Sequence, residues 1–479
     1  MKVPPSTYLT EMKESLKHLV QILSRDFSYV SLLSTDSIGM RYSVRKRAIE
    51  VRQSNWCERG SVIRVYDGHR YFEYSFNNLK RDSREDVESL AAEISQRFQR
   101  DAAKVKELPF TLPDLPAISE EPLSGSWQGE VGILADTVST EETTRRLSRI
   151  KDRAFDSSEH LVEIDVRFEH MRVSKLFLSV KKDLEQSYSW AQGYLVPVVR
   201  KDDIIREMFA SYSGLKGVEL IDEMEAGLPE TMSIAEELLA AERIEPGEYE
   251  VILSPGIAGL LAHESFGHGV EMDMFIKGRA KAAEYLGKAV ASPIVSLRDG
   301  ARAAEQTGSY WFDDEGVPGG DTLVIEKGIF NTGISDLLSA LRLGTSPTGN
   351  GKRESFERKT YTRMTNTFFT EGEDSLEDMI ASVKKGYLLE KFLSGMEDPK
   401  NWGIQGQILY AREIQEGKLS GKVVSPVFMF GYVPDVLGSV SMVSREVQHF
   451  GSGMCGKGHK EYVKNSSGGP YIKTVMRLG

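Results

Sequence analysis

A chain of 479 residues exceeds one ordinary hydrophobic core, so at least two domains are expected. With 60 Lys and Arg against 71 Asp and Glu, a formal charge of -11, the chain as a whole repels phosphate backbones, which argues against nucleic acid as its main ligand. The opening residues, MKVPPSTYLTEMKESLKHLV, lack the apolar core of a secretion signal, and no run of about eighteen apolar residues occurs; no membrane span is expected and the cytoplasm is the indicated compartment.

The only two cysteines, Cys57 and Cys455, are far apart in sequence and offer no disulfide framework, in keeping with a reducing compartment. Without export, the N-x-S triplet that begins at Asn465 carries no meaning for glycosylation.

In chain order, apolar spacing predicts a helix over 7–25, followed by strand-like segments YVSLLSTDS, GMRYSVRKRAIEVRQ, SVIRVY and RYFEYSF. The last two are joined by Asp67-Gly68, a pair that commonly closes hairpins. A helix is expected at 84–103, and the proline-rich stretch 106–128 reads as an exposed linking segment. Beyond it come a helix near 140–155, strands through 160–190, and helices near 201–213 and 233–244. Pro246-Gly247 marks a boundary, after which EYEVILS is a strand and Pro255-Gly256 leads into the apolar, helical IAGLLAHESFGHGVEMDMF. Short strands and turns fill the rest. This is an α+β protein: an N-terminal domain over 1–245 with an antiparallel sheet, and a β-rich C-terminal domain over 246–479 around one buried helix.

That helix carries HESFGH, His263 to His268. It is one residue longer than the zinc-protease pattern H-E-x-x-H, in which the histidines share a helical face. Five residues advance about 500° on an α-helix, so the imidazoles would point roughly 140° apart instead of about 40°. A π-type turn would absorb the extra residue and bring both rings to one ion, and Gly267 and Gly269, flanking His268, mark where the helix can most easily widen or end. A catalytic metal needs three protein ligands and an open position, and Cys455, in glycine-rich GSGMCGKGH, is the best third candidate. The alternatives are a satisfied core histidine and a small buried thiol. Glu264, next to the first histidine, suits a general base in metal-assisted hydrolysis. As a plain i, i+4 contact to His268 it would contribute only about 0.2–0.5 kcal/mol, little return for burying a carboxylate.

Two other stretches look chemical and are set aside. GTSPTGNGKRES has its lysine out of register for a phosphate-binding loop. FDDEG, 312–316, offers three carboxylates for Mg²⁺ but lacks the EF-hand pattern and reads as a solvated turn.

The blocks LAHESFGHGVE, SYWFDDEGVPGGDTLVIEKG, TGNGKRES, YTRMTNT and GMCGKG, in that order, resemble the TldD/PmbA family, and within it the TldD-type metallopeptidase subunit. The resemblance implies a peptidase whose Zn²⁺ is held by His263, His268 and Cys455, with Glu264 as base. It also implies a dimer, either a homodimer or a heterodimer with a PmbA/TldE-like subunit, enclosing a channel for unfolded or flexible peptides. Such peptides would be gripped through their backbone as an added antiparallel strand. YTRMTNTFF, 361–369, is the segment placed beside the peptide, with Arg363 and Asn366 as polar contacts or, alternatively, as ordinary sheet interior. His459 stands where the family commonly has glutamine and is read as a donor to the substrate carbonyl, the alternatives being a fourth metal ligand and a surface histidine without a role. Trp402 and Gln405 replace smaller residues of relatives and are expected to alter the channel. Two further functions compete: a non-hydrolytic peptide-binding subunit, against which the intact ligand set argues, and a regulator of DNA gyrase, against which the acidic balance argues.

Overall fold

The structure is a computed structural model and describes residues 1–479 apart from Arg81, Asp82, Thr111, His459 and Lys460. Helix α1 (Thr7–Leu23) starts where the Ser6 hydroxyl accepts from the Leu9 N–H, and it buries Leu9, Met12, Leu16, Leu19 and Leu23. Strands β1 (Tyr29–Val44), β2 (Ile49–Gln53), β3 (Glu58–Tyr66) and β4 (Tyr71–Phe76) follow. The expected turn joins β3 to β4, with Gly68 at φ 99°, a left-handed value that favours glycine. Next come α2 (Arg84–Lys106), β5 (Leu123–Gln128) and α3 (Thr140–Ser157). The long β6 (Leu161–Ser179) and β7 (Lys182–Lys201) are followed by β8 (Ile204–Glu207), β9 (Ala210–Gly214) and α4 (Leu220–Glu237). The strands form one sheet of order β4-β3-β1-β6-β7-β5, with β2 beside β1 and with β8 and β9 beside β7.

Three expectations are corrected here. The helix near 201–213 is instead β8 and β9, whose backbone groups pair with β7, an edge that local periodicity does not reveal. The helix expected at 233–244 is α4, which begins at Leu220 and ends at Glu237; Pro229 inside it interrupts the local helix signal. The proline-rich stretch ends in β5, paired in parallel with β7, and upstream of it the Leu115 carbonyl accepts from the Tyr66 hydroxyl.

Alternation gives this sheet two different faces. Leu32, Ile63, Leu176 and Leu178 pack under α1 and α2, and Val166, Phe168 and Leu195 under α3 and α4. The opposite face, with Leu33, Val62, Phe177, Met171 and Trp190, meets C-terminal residues Ala301, Tyr310 and Phe312.

The C-terminal half contributes two larger sheets. Strand β10 (Gly247–Leu253) pairs with Lys385–Asp398 and Ile472–Leu478 in a seven-stranded sheet, and Leu297–Asp299, Asn366–Phe369 and Ser466–Gly469 lie side by side in a six-stranded one. Between them runs α5 (Pro255–Phe266), apolar on all sides and buried accordingly. A Cβ at Gly259 would stand 2.7 Å from the Gly468 nitrogen, so glycine there permits the helix to lie directly on the strand Ser466–Gly469. The α+β expectation holds, including a β-rich C-terminal half around a buried helix. Among the described residues no helix is long and apolar enough to cross a membrane.

Candidate metal centre

Helix α5 ends at Phe266, where Gly267 (φ -87°, ψ -78°) donates its N–H to the His263 carbonyl, and the chain tightens into a 3₁₀ turn over His268–Val270. The expected π-type turn is therefore replaced: the helix stops, and the tighter turn swings the second histidine back. A Cβ at Gly267 would fall 2.0 Å from the Met364 sulfur and 2.3 Å from the His263 carbonyl, so only glycine fits the bend. The two imidazoles meet edge to face at 89°, their centroids 5.1 Å apart.

The thiol of Cys455 closes the triangle, its Sγ 3.4 Å from His263 Nε2 and 3.2 Å from His268 Nε2. All three ligand atoms lie within 4.8 Å of one another. Tetrahedral Zn–N and Zn–S bonds of about 2.0–2.3 Å span N···S edges of about 3.5 Å, so the set matches one zinc ion. The outer ring nitrogens are also engaged. Glu271 Oε2 lies 3.2 Å from His268 Nδ1, and Asn465 Nδ2 lies 3.2 Å from His263 Nδ1. A carboxylate accepting from Nδ1–H leaves the His268 Nε2 lone pair turned toward Cys455; rotating the Asn465 amide end for end gives His263 the same tautomer.

The electrostatics favour a thiolate. Burial raises the Cys455 pKa, but His268 and His263 outweigh burial and bring it well below the usual thiol value. Burial likewise opposes protonation of both histidines, and the thiolate outweighs it, raising both. Burial also disfavours the Glu271 carboxylate, yet Lys457 and His268 hold its pKa at about 2. Lys457 Nζ bridges Glu271 Oε2 at 2.8 Å and Asp273 Oδ1 at 2.7 Å.

Glu264 does not pair with His268. Burial, followed by a hydrogen bond with Glu397, lifts its carboxyl to about 8. It lies against the strand Lys385–Asp398, where a Cβ at Gly395 would stand 2.7 Å from Glu264 Oε1. Sequence reasoning offers Asn465 only as the start of an N-x-S triplet and does not reach Glu271 or Glu397. Glu271, three residues past His268, was open to a helical-spacing argument; the other two carry no local signal.

Other expected site residues are placed differently. Arg363 is 1% exposed and Asn366 fully buried. The Arg363 guanidinium donates to the carbonyls of Cys455 and Glu461, and the Asn366 amide to those of Gly300 and Ala304. They are interior ties, not surfaces for a substrate. Asn366–Phe369 cannot accept an added strand either, because both its edges are paired, with Leu297–Asp299 and Ser466–Gly469. His459 lies outside the described residues. Trp402 is buried and packs 5.8 Å from Phe266 and 4.6 Å from Tyr285, centroid to centroid. Gln405 lines an open groove of about 710 Å³ beside Glu397. FDDEG is buried, not solvated: Asp313 accepts from the Glu315, Val317 and Gly351 N–H groups, Lys175 donates to Asp314, and Arg64 donates to Glu315 at 2.5 Å. In the other stretch set aside, Lys352 is buried and donates to the Lys464 carbonyl.

The model of the PmbA/TldA metallopeptidase C-terminal domain matches residues 246–475, the segment that holds all three ligand candidates. The chain belongs to the TldD/PmbA family. It is 34% identical over 232 residues to a metalloprotease TldD homolog of Buchnera aphidicola, a match over 48% of this chain and 47% of that one. A zinc metalloprotease TldD homolog of Saccharolobus solfataricus is 30% identical over 230 residues, 47% of this chain and 50% of the relative. Matches of this kind thus span about half the relatives' length. In fold, the chain resembles TldE from Thermococcus kodakarensis with a TM-score of 0.77 and 20% identity, covering 97% of this chain and all of that one.

Proposed function

We propose that this family member is a zinc-dependent peptidase acting on unfolded or flexible peptides, working as a homodimer or with a PmbA/TldE-like partner, in the cytoplasm. The observation that carries the reading is the convergence of His263, His268 and Cys455 on one point, beside a buried carboxyl that ligates nothing. A zinc ion held by these three residues supplies the Lewis acidity that amide hydrolysis needs. Glu264, as the carboxylate, would then take a proton from the attacking water and return it to the leaving nitrogen. Glu271 and Asn465 orient the imidazoles. For the peptide, support comes from the strand Lys385–Asp398. Beyond Leu389, where pairing with β10 ends, its outer edge has no partner among the described residues, and that edge runs past Gly395 and Glu397 beside Glu264. An extended backbone can add there as a further strand, a grip that reads little sequence.

Metal analysis of the purified chain should find one zinc, lost in Cys455→Ala. With unstructured peptides, cleavage should stop on chelation, and Glu264→Gln should retain zinc while losing about a hundredfold or more in turnover. A chain that keeps zinc but cuts no unstructured peptide, alone or with a partner subunit, would instead be a peptide-binding subunit.

A further inference from the structure

Cys455 stands on a short hairpin in which Cys455–Lys457 pairs with Glu461–Val463 and Cys455 faces Val463. Two clamps hold this hairpin. Arg363, from the C-terminal half, donates to the Cys455 carbonyl at 2.6 Å and the Glu461 carbonyl at 3.0 Å. The other clamp belongs to the nine-stranded sheet. On β7, Gln192 Oε1 accepts from the Gly453 N–H at 2.9 Å and from Lys464 Nζ at 2.6 Å. Gly453 precedes the hairpin and Lys464 follows it, so one oxygen ties the two ends together. Lys464 Nζ also donates to the Gly453 carbonyl at 3.0 Å and lies 4.5 Å from the Trp190 ring centroid.

Gln192 is itself held firmly. Its Nε2 donates to Glu169 Oε2 at 2.6 Å, and the Ser54 hydroxyl donates to Glu169 Oε1 at 2.6 Å. Ser54, Glu169 and Gln192 are all buried, so the chain Ser54–Glu169–Gln192–hairpin runs inside the protein from one half to the other. The held segment, GSGMCGKG, is rich in glycine, with Gly453 at φ 86° and Gly458 at φ 63°. Such a backbone costs more than most to order, and any part of that ordering left to the metal weakens its binding.

We propose that Gln192 is a positioning residue for the metal centre: through Gly453 and Lys464 the N-terminal sheet sets where the Cys455 sulfur stands, and thereby how tightly the ion is held. The inference rests on the zinc reading above.

The test uses the full chain. Gln192→Met keeps the side-chain length and removes the accepting oxygen; Lys464→Met removes one donor. Zinc affinity is measured by competition with a chromophoric chelator, and the thiolate-to-metal absorption is recorded after cobalt(II) replaces zinc. Both variants are expected to bind zinc about tenfold more weakly or worse, with a diminished thiolate band. The exchange Gln192→Glu with Glu169→Gln moves the amide and the carboxylate across their shared hydrogen bond, preserves every donor and acceptor of the chain, and should restore affinity to within about threefold. Phe168→Ala, on the opposite face, lowers stability and should leave zinc affinity within about twofold, separating positioning from general loosening. Wild-type zinc affinity and an unchanged cobalt spectrum in Gln192→Met, or in Lys464→Met should the first variant not fold, would overturn the inference and leave the metal reading standing. A wild-type chain without zinc would overturn both.

Discussion

On one side of the nine-stranded sheet, Val166, Phe168 and Leu195 are buried against α3 and α4 by apolar contact. On the other side, Arg64, Lys175, Gln186 and Gln192 reach into the C-terminal half and bind named atoms there. Apolar burial is non-directional and tolerates small shifts. A hydrogen bond to a charged group specifies distance and angle, and its removal leaves a buried partner uncompensated. Both sides therefore contribute stability, and the second side supplies alignment as well, which is what a metal ligand borne on a glycine-rich hairpin needs.

The sharpest challenge to this contrast is Arg64→Leu. Glu315, 1% exposed in its side chain, would lose the guanidinium 2.5 Å away. A loss of about 3–5 kcal/mol is expected in urea unfolding, since the carboxylate stays buried without its partner. A change below about 1 kcal/mol would mean that the polar side holds no more tightly than a surface ion pair.

The helix side has its own titration. Burial lowers the His170 pKa from 6.5 to about 4, on a face shared with Tyr42 and Phe168. Because the folded value lies below the unfolded one, protonation favours the unfolded chain. Stability from this site is complete above about pH 6.5 and is lost as pH falls toward 4, by about 3 kcal/mol in all. His170→Gln should flatten that part of the stability-versus-pH curve, and an unchanged slope would assign the loss to other groups.

A smaller effect is expected from Gly267→Ala, where the added methyl meets the Met364 sulfur and the His263 carbonyl. About 1–3 kcal/mol should be lost, together with zinc affinity, because the bend that returns His268 must open. Retained affinity would show that the turn adapts without moving the ring. At the bottom of the scale, Arg84→Ala removes an exposed i, i+4 pair with Glu88 on α2 and should change the unfolding midpoint by less than about 0.5 kcal/mol.

Much of this protein was legible residue by residue. The helix at the start of the chain, the hairpin at Asp67-Gly68, and the buried helix bearing HESFGH all follow from apolar spacing and turn chemistry, which act over a few residues. Residue type and neighbourhood also offer His263, His268, Cys455 and Glu264 as candidates, with a core histidine and a buried thiol as the alternatives, and the structure brings the two histidines and the cysteine within reach of one another. The misreadings differ in cause. The segment 201–213 pairs as strands because β7 offers it an open edge, and FDDEG is buried because Arg64 and Lys175 from the other half neutralise its acids. For the first segment the partner is the adjoining strand, reached through a tight turn with Asp202 at φ 53°, whereas Arg64 and Lys175 lie more than a hundred residues before FDDEG in the chain.

The same separation governs the site. The wide spacing of His263 and His268 posed a geometric question that periodicity could state; its resolution, a helix stop at Gly267 followed by a 3₁₀ turn, depends on Met364 lying against that glycine. Arg363 and Asn366 lie in a β-prone stretch that local pattern places beside a substrate, but both edges of the strand Asn366–Phe369 are occupied and the Arg363 guanidinium is spent on the Cys455 and Glu461 carbonyls. Glu397 beside Glu264, and Gln192 beneath the Cys455 hairpin, arrive from strands more than a hundred residues away in the chain. Residue type and local periodicity are short-range properties, so they reveal which groups can do chemistry; which groups meet depends on strand order and register, set by packing across the whole chain.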